Sequence, residues 1–268
     1  MTTRASTDPL PVLFVGHGSP MNAIEPNRYR QTWERLGRGL PRPNAILCIS
    51  AHWQTWGTLV TLADPPRTIH DFGGFPRALH EMRYPAPGAP ELARLAASAI
   101  PGGGTDTAWG LDHGAWCVLA PMFPAADVPV FQLSLDAALS PRQHFELAQR
   151  LAFLRRQGVL ILASGNIVHN LGRLRFDDPA PFAWALEFDE WVRVRIESGD
   201  SASLCGYAEA GPAAAMSVPT DEHYLPLLYA LALREPDEPV AFFNEGFDFG
   251  SVSMRSFVVG AVRGPTEG

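Results

Sequence analysis

The chain of 268 residues contains no lysine; all 21 of its basic residues are arginine. This removes Schiff-base chemistry, pyridoxal phosphate enzymes and Walker-type nucleotide hydrolysis at once, since each needs a lysine amine. Cysteine is scarce. Cys48, Cys117 and Cys205 lie far apart with no C-x-x-C pair, so neither a disulfide framework nor a zinc ribbon is available. Each is expected as a small buried residue. Long apolar runs are missing too: the N-terminal stretch MTTRASTDPLPVLFVG is too short for a signal peptide or a membrane span. The expectation is a soluble, cytoplasmic protein without a membrane partner. Acids outnumber bases 28 to 21, giving a net charge of −7 and no basic footprint for nucleic acid. There is no H-E-x-x-H, no G-x-S-x-G elbow, and no G-x-G-x-x-G opening a helix after a strand. A zincin, an α/β-hydrolase serine and a dinucleotide cofactor are therefore disfavoured.

What remains is an ordinary globular composition, 46% hydrophobic and 18% charged, with 25 prolines and 24 glycines dispersed among loops. No repeat or composition shift divides the chain. A single domain over residues 1–268 is expected, with 1–10 and 262–268 as loose termini. Strand runs are predicted at Pro11–Gly16, Ala45–Ala51, Gly57–Leu62, Val128–Leu135, Val159–Ala163, Val240–Phe243 and Ser251–Val259. Helical spacing is predicted at Arg28–Leu40, Pro90–Ile100, Pro141–Gln157, Pro181–Ser198 and Thr220–Leu233, the last with Thr220 as N-cap. Alternating strands and helices point to an α/β fold with a mixed, largely parallel central sheet flanked by helices.

The informative residues are the histidines. Of eight, His17 follows PVLFVG, His52 follows AILCISA, and His169 lies in the loop SGNIVHN just past a strand run. The crevice outside the carboxyl ends of strands is where open α/β sheets bind ligands. One histidine there is commonplace; three at equivalent strand ends suggest imidazoles converging on one pocket, the ligand type a divalent transition metal selects. Two more fit the same place. His113 sits in LDHGAW at a predicted helix start, where the helix dipole favours the neutral ring. His223 sits in TDEHYLPLLYA beside Asp221 and Glu222, one of which is expected to serve the helix dipole. His144 and His80 are expected at the surface or in packing, and His70 opens a Gly/Pro/Phe loop, HDFGGFP, that could cover a site.

The segments GHGSPMNAIEPN, ISAHW, HDFGGFP, YPAPG, LDHGAW, SGNIVHNL and DEHYLPLLYA occur in this order between about Val12 and Gly260. In this register the chain resembles the class III extradiol ring-cleavage dioxygenases, in particular the DOPA 4,5-dioxygenase branch. The resemblance implies one non-haem ion per chain, Fe(II) or Zn(II), with His17 and His52 carrying over as metal ligands. His223 occupies the third-ligand region. The wider class uses a carboxylate as its third ligand, so Glu222 is the alternative to His223, and the choice bears on iron versus zinc. His169 carries over as acid–base catalyst and His113 as a second pocket histidine.

The implied reaction opens the ring of a small aromatic diol, a DOPA-like catechol, with O₂. It needs three protein ligands with a coordination face left free, and a histidine to move the catechol proton. Trp53, Phe72, Phe75 and Trp116 flank the motif histidines as candidate ring-binding walls, two of the four being expected in the core instead. Arg77 and Arg173 are candidates to pair a substrate carboxylate, although a surface role suits either. Two other readings share the histidines: a zinc-dependent hydrolase, and a non-catalytic metal-binding interaction protein.

Overall fold

The computed structural model describes residues 8–178 and 180–261; the expected loose termini, 1–7 and 262–268, lie outside the described residues. Leu10 is tied down, its amide donating to the Arg155 carbonyl and its own carbonyl accepting from the Arg155 guanidinium. Ten strands are formed: β1 (Val12–Gly16), β2 (Ala45–Thr55), β3 (Leu59–Thr61), β4 (Gly104–Asp106), β5 (Val130–Asp136), β6 (Val159–Gly165), β7 (Val240–Phe243), β8 (Phe247–Asp248), β9 (Val252–Ser253) and β10 (Ser256–Val259). The helices are α1 (Arg28–Gly39), α2 (Arg77–Glu81), α3 (Pro90–Ala99), α4 (His113–Met122), α5 (Pro141–Gln149), α6 (Phe153–Arg156), α7 (Ala183–Ser198), α8 (Ser201–Cys205), α9 (Pro212–Ser217) and α10 (Leu225–Ala232).

Eight strands make one mixed sheet in the order β4-β3-β5-β2-β6-β1-β10-β7, and β8 and β9 form a separate hairpin. The central four, β5, β2, β6 and β1, run parallel, whereas β10 and β7 are antiparallel on one side. Strand alternation feeds two cores. Phe14, Leu47, Ile49, Ile161 and Ala163 face the side covered by α5, α7 and α10. Leu13, Val15, Ile46, Cys48, Leu160 and Leu162 face the side covered by α1 and α4. Both faces are dry, which is why these strands read as unbroken apolar runs rather than alternating ones.

The order of the strands positions the site. β6 lies between β1 and β2, so the carboxyl ends of three adjacent parallel strands share one rim. His17 leaves β1 there, and the loop carrying His169 leaves β6. β2 does not stop at Ala51 as predicted but runs on to Thr55, because its pairing with β5 slips from Ile49↔Leu133 to Gln54↔Leu135. The unmatched residues between bulge out of the ladder, and His52 is one of them, turned to the rim by the irregularity.

Other predicted boundaries also moved. The segment from Pro141 to Gln157 is not one helix: it breaks at 150–152, which lets Leu151, Leu154 and Arg155 all face inward. The Thr220 helix begins only at Leu225; Thr220 is not its N-cap, and its hydroxyl instead donates to Glu222. The His223 carbonyl accepts from Asn166 in the β6 loop rather than from the helix, and Pro226 removes a donor in the first turn. The predicted strand Ser251–Val259 is interrupted, with Met254 and Arg255 between β9 and β10. His144 is fully buried rather than on the surface, its Nδ1 2.8 Å from the Tyr229 hydroxyl between α5 and α10. Cys48 and Cys117 are buried as expected, but Cys205 is half-buried.

Candidate metal and substrate site

All five candidate histidines, His17, His52, His113, His169 and His223, line one cavity of about 420 Å³ at the rim of the sheet. The ring centres of His17 and His52 are 5.0 Å apart, and His223 lies 5.3 Å from His17 and 5.0 Å from His52. His113 packs 3.9 Å from His52, and His169 stacks on His223 at 3.5 Å with 9° between planes. Ligand atoms of His17, His52 and His113 fall within 4.8 Å of one another, and so do those of His169, Glu222 and His223.

Hydrogen bonds behind the rings determine which nitrogen faces the cavity. The Ser164 hydroxyl spends its only proton on the Gly114 carbonyl at 2.6 Å, so it must accept from His17 Nδ1, 3.0 Å away. His17 Nε2 therefore carries a bare lone pair. Glu222 Oε1 lies 2.9 Å from His223 Nδ1 and plays the same part for that ring. Asp71 takes both the backbone N–H and Nδ1 of His113, each at 2.9 Å, and its Oδ2 sits 3.6 Å from His52 Nδ1. Carboxylate and hydroxyl partners of this kind are what orient metal-binding imidazoles.

Two consequences make the residues fit a cation. With the Nδ1 atoms of His17 and His52 drawn to acceptors, their Nε2 atoms meet at 3.1 Å as two lone pairs, an arrangement that repels unless a cation is shared. His223 Nε2 is buried and has no hydrogen-bond partner, which is costly for a polar atom unless something ligates it.

The electrostatics agree. Burial, reinforced by His52 and His223, holds His17 well below the ordinary histidine range. His52 is lowered to about 3 by burial and then by His113, against the pull of Asp71. Burial and His169 hold His223 well down, and burial lowers His169 to about 4 against the pull of Glu222. All four are neutral at pH 7, the state in which imidazole ligates or accepts a proton. Asp71 lies below its usual value because the contacts with His113 outweigh its burial.

Close backbone approaches hold these rings. A Cβ on Gly165 would stand 2.1 Å from the His223 carbonyl, and one on Gly114 would stand 2.5 Å from Ser50 Oγ. His113 is the first residue of α4, behind the N-cap Asp112, as the sequence predicts. Asp112 is buried and accepts from the Ser50 hydroxyl at 2.6 Å and the Gln132 amide at 2.8 Å, locking α4 to β2 and β5.

Among the proposed aromatic walls, Phe72 and Phe75 line the cavity, while Trp116 lies in the core and Trp53 is buried, stacked on Trp109. Arg77 pairs with Glu81 on the surface, and neither Arg77 nor Arg173 lines the cavity. Sequence reading missed Asp71, although it lies within the quoted HDFGGFP; only the neighbouring His70 was weighed. It also missed Leu171, Leu174, Phe176, Asp248, Phe249 and Val252, which complete the walls. Those come from a loop and the β8–β9 hairpin, where no periodic signal marks a lining residue.

The comparisons with known proteins agree with this geometry. The chain is similar to the 4,5-DOPA dioxygenase extradiol of Escherichia coli K12, with 45% identity over 95% of this chain and 96% of the relative. The 4,5-DOPA dioxygenase extradiol of Beta vulgaris is 37% identical over 91% of this chain and 94% of its own. A crystal structure of an uncharacterized protein from Escherichia coli K12 superposes with a TM-score of 0.82 at 41% identity, covering 94% of this chain and all of that one. The family described as the catalytic LigB subunit of aromatic ring-opening dioxygenase matches residues 11–260, nearly the whole chain. With a rim of neutral imidazoles and relatives that agree in both sequence and fold, the chain belongs to the LigB family of aromatic ring-opening dioxygenases.

Proposed function

We propose that the protein is an extradiol dioxygenase that opens the ring of a catechol with O₂, using one ion held by His17, His52 and His223. The observation that carries this reading is the meeting of three bare Nε2 atoms: His17 and His52 at 3.1 Å, and the partnerless, buried His223. His113 is the rival third ligand, because its ring is also close to His52. Its Nδ1 and backbone amide are both held by Asp71, and its Nε2 is not left as a buried orphan. Glu222 is occupied at His223 Nδ1, so it orients the ligand rather than replacing it. A ferrous ion there would supply open coordination positions and redox exchange with O₂, whereas Zn(II), which suits the same nitrogens, is redox-inert.

The chain's own residues do the rest. His169, neutral at pH 7 and stacked on His223, accepts the catechol hydroxyl proton on an imidazole nitrogen and returns it to the oxygen released on ring opening. His113, its Nδ1–H engaged by Asp71, offers Nε2 to a substrate hydroxyl. Phe72, Phe75, Phe176 and Phe249 give the ring apolar walls and keep water from the reacting oxygens.

The test is to load the chain anaerobically with Fe(II), add a catechol and then admit air. Stoichiometric oxygen uptake with a yellow ring-opened product is expected; the absence of both across a catechol panel overturns the reading. The ligand assignment is tested separately. His223→Ala should lose the ion and His113→Ala should keep it, and the reverse result would exchange their roles.

A further inference from the structure

The cavity is asymmetric in charge. Among the described residues that line it there are two carboxylates, Asp71 and Asp248, and no arginine. Asp71 is committed to His113 and His52. Asp248 stands apart from the histidines, on the β8–β9 hairpin that forms the far wall. Its neighbour outside the cavity is the Tyr29 hydroxyl. Arg28 donates to that hydroxyl at 2.9 Å, leaving the tyrosine proton free to turn toward Asp248. One hydroxyl leaves most of a carboxylate's acceptor capacity unused. Burial pushes the Asp248 carboxyl up despite Tyr29 and the nearby Arg28 charge, so its negative charge is incompletely offset.

Position matters as much as charge. Asp248 pairs with Val252 across the hairpin, and Val252 bridges in turn to His169. Asp248 and His169 are thus two strand spacings apart, about 10 Å between backbones. Apolar Phe176, Phe249 and Val252 lie in the same wall. A catechol ring with a two-carbon arm spans that distance when its hydroxyls sit at the histidines.

Resting on the dioxygenase reading above, we infer that Asp248 is the specificity-determining residue of the cavity and binds a protonated amine on the arm of the catechol. Amine-bearing catechols are then the preferred substrate class. Catechols whose arm ends only in a carboxylate are disfavoured, because that group would be desolvated against Asp248 with no arginine to meet it.

The experiment compares dopamine, 4-ethylcatechol and 3,4-dihydroxyphenylpropionate, which share a ring and differ in the charge of the arm. Oxygen uptake by the Fe(II)-loaded protein should give kcat/KM in the order amine, neutral, carboxylate, with about tenfold or more between the first two. In Asp248→Asn, which keeps an acceptor for Tyr29, the amine-to-neutral ratio should fall toward one and the penalty on the carboxylate should shrink. Anaerobic calorimetry of the same ligands on the metal-free protein gives a readout independent of turnover. An amine preference in binding that Asp248→Asn abolishes supports the assignment even if no substrate turns over, and that result would sink the dioxygenase reading alone. Turnover or binding with no amine preference, or a preference that survives Asp248→Asn, overturns the role of Asp248 and leaves the dioxygenase reading standing.

Discussion

The two ends of the central sheet bury ionisable groups in opposite ways. At the end away from the cavity, Arg155 is 1% exposed and every direction of its guanidinium is used. It donates to the Leu10 and Leu233 carbonyls and to both oxygens of Glu238. At the cavity end, Nε2 of His17 meets Nε2 of His52, and that of His223 has no partner. The first arrangement is complete and holds the chain together. The second is completed only by something the chain does not itself contain. Unsatisfied polar atoms arranged around a common point therefore mark a function more sharply than buried charge does.

Each end can be broken separately. The largest effect is expected at His169: His169→Ala should retain the ion yet lose roughly 10² to 10⁴-fold in turnover, the usual worth of a positioned proton transfer. Metal analysis beside oxygen uptake checks this, and parallel loss of the ion would make His169 a ligand instead. At the opposite end, Glu238→Ala should cost about 3–5 kcal/mol of stability by stranding the buried Arg155 charge. Chemical denaturation measures that loss, while the metal affinity of the folded fraction should not change.

Acid should separate the two ends. The unfolded histidines take up protons near pH 6.5, whereas folded His52 and His169 do so only near 3 and 4, and folded His17 and His223 well below 6.5. Between these values the unfolded state binds more protons, so the metal-free chain should lose stability as pH falls below about 6.5. The slope is up to about 1.4 kcal/mol per pH unit for each such histidine. Glu238 behaves differently. Burial raises its carboxyl, but the Arg155 hydrogen bond and the other contacts outweigh that and leave it below its ordinary value. Its contribution is complete above the unfolded carboxyl's pKa, about 4.3, and is lost only as pH falls through the lower folded value. Denaturation of the metal-free chain at pH 7, 6 and 5 should show the histidine loss first. A flat profile would mean that the cavity histidines are not held neutral.

The smallest effect is expected at Glu222. Glu222→Gln keeps an acceptor for His223 Nδ1 but removes the charge, and should weaken metal binding by about 10 to 100-fold. Complete loss of the ion would instead make Glu222 a ligand.

The unbroken apolar runs of β1, β2 and β6 were legible because both faces of those strands are covered by helices, so each residue carries the signal. The positions of His17 and His113 were legible for a related reason: a strand end and a helix N-terminus are local events. His52 was read as lying past a strand, yet it sits in a bulge that only the slipped pairing with β5 creates. His223 was assigned to a helix that starts two residues later, because the carbonyl–amide bond to Asn166 is a long-range contact. His144 was assigned to the surface because its amphipathic helix conceals Tyr229, which meets it from α10.

By itself the sequence determined the residue types at the rim, the alternation of strands and helices, and the motif order that marks the family. These are properties of short segments and of which side chains can ligate or transfer protons. Only the tertiary structure decided which nitrogen of each ring faces inward, that Asp71, Ser164 and Glu222 stand behind them, and that a distant hairpin supplies Asp248 to the far wall. Hydrogen-bond direction and proximity across many residues depend on how β6 is inserted between β1 and β2, and no local pattern encodes that placement.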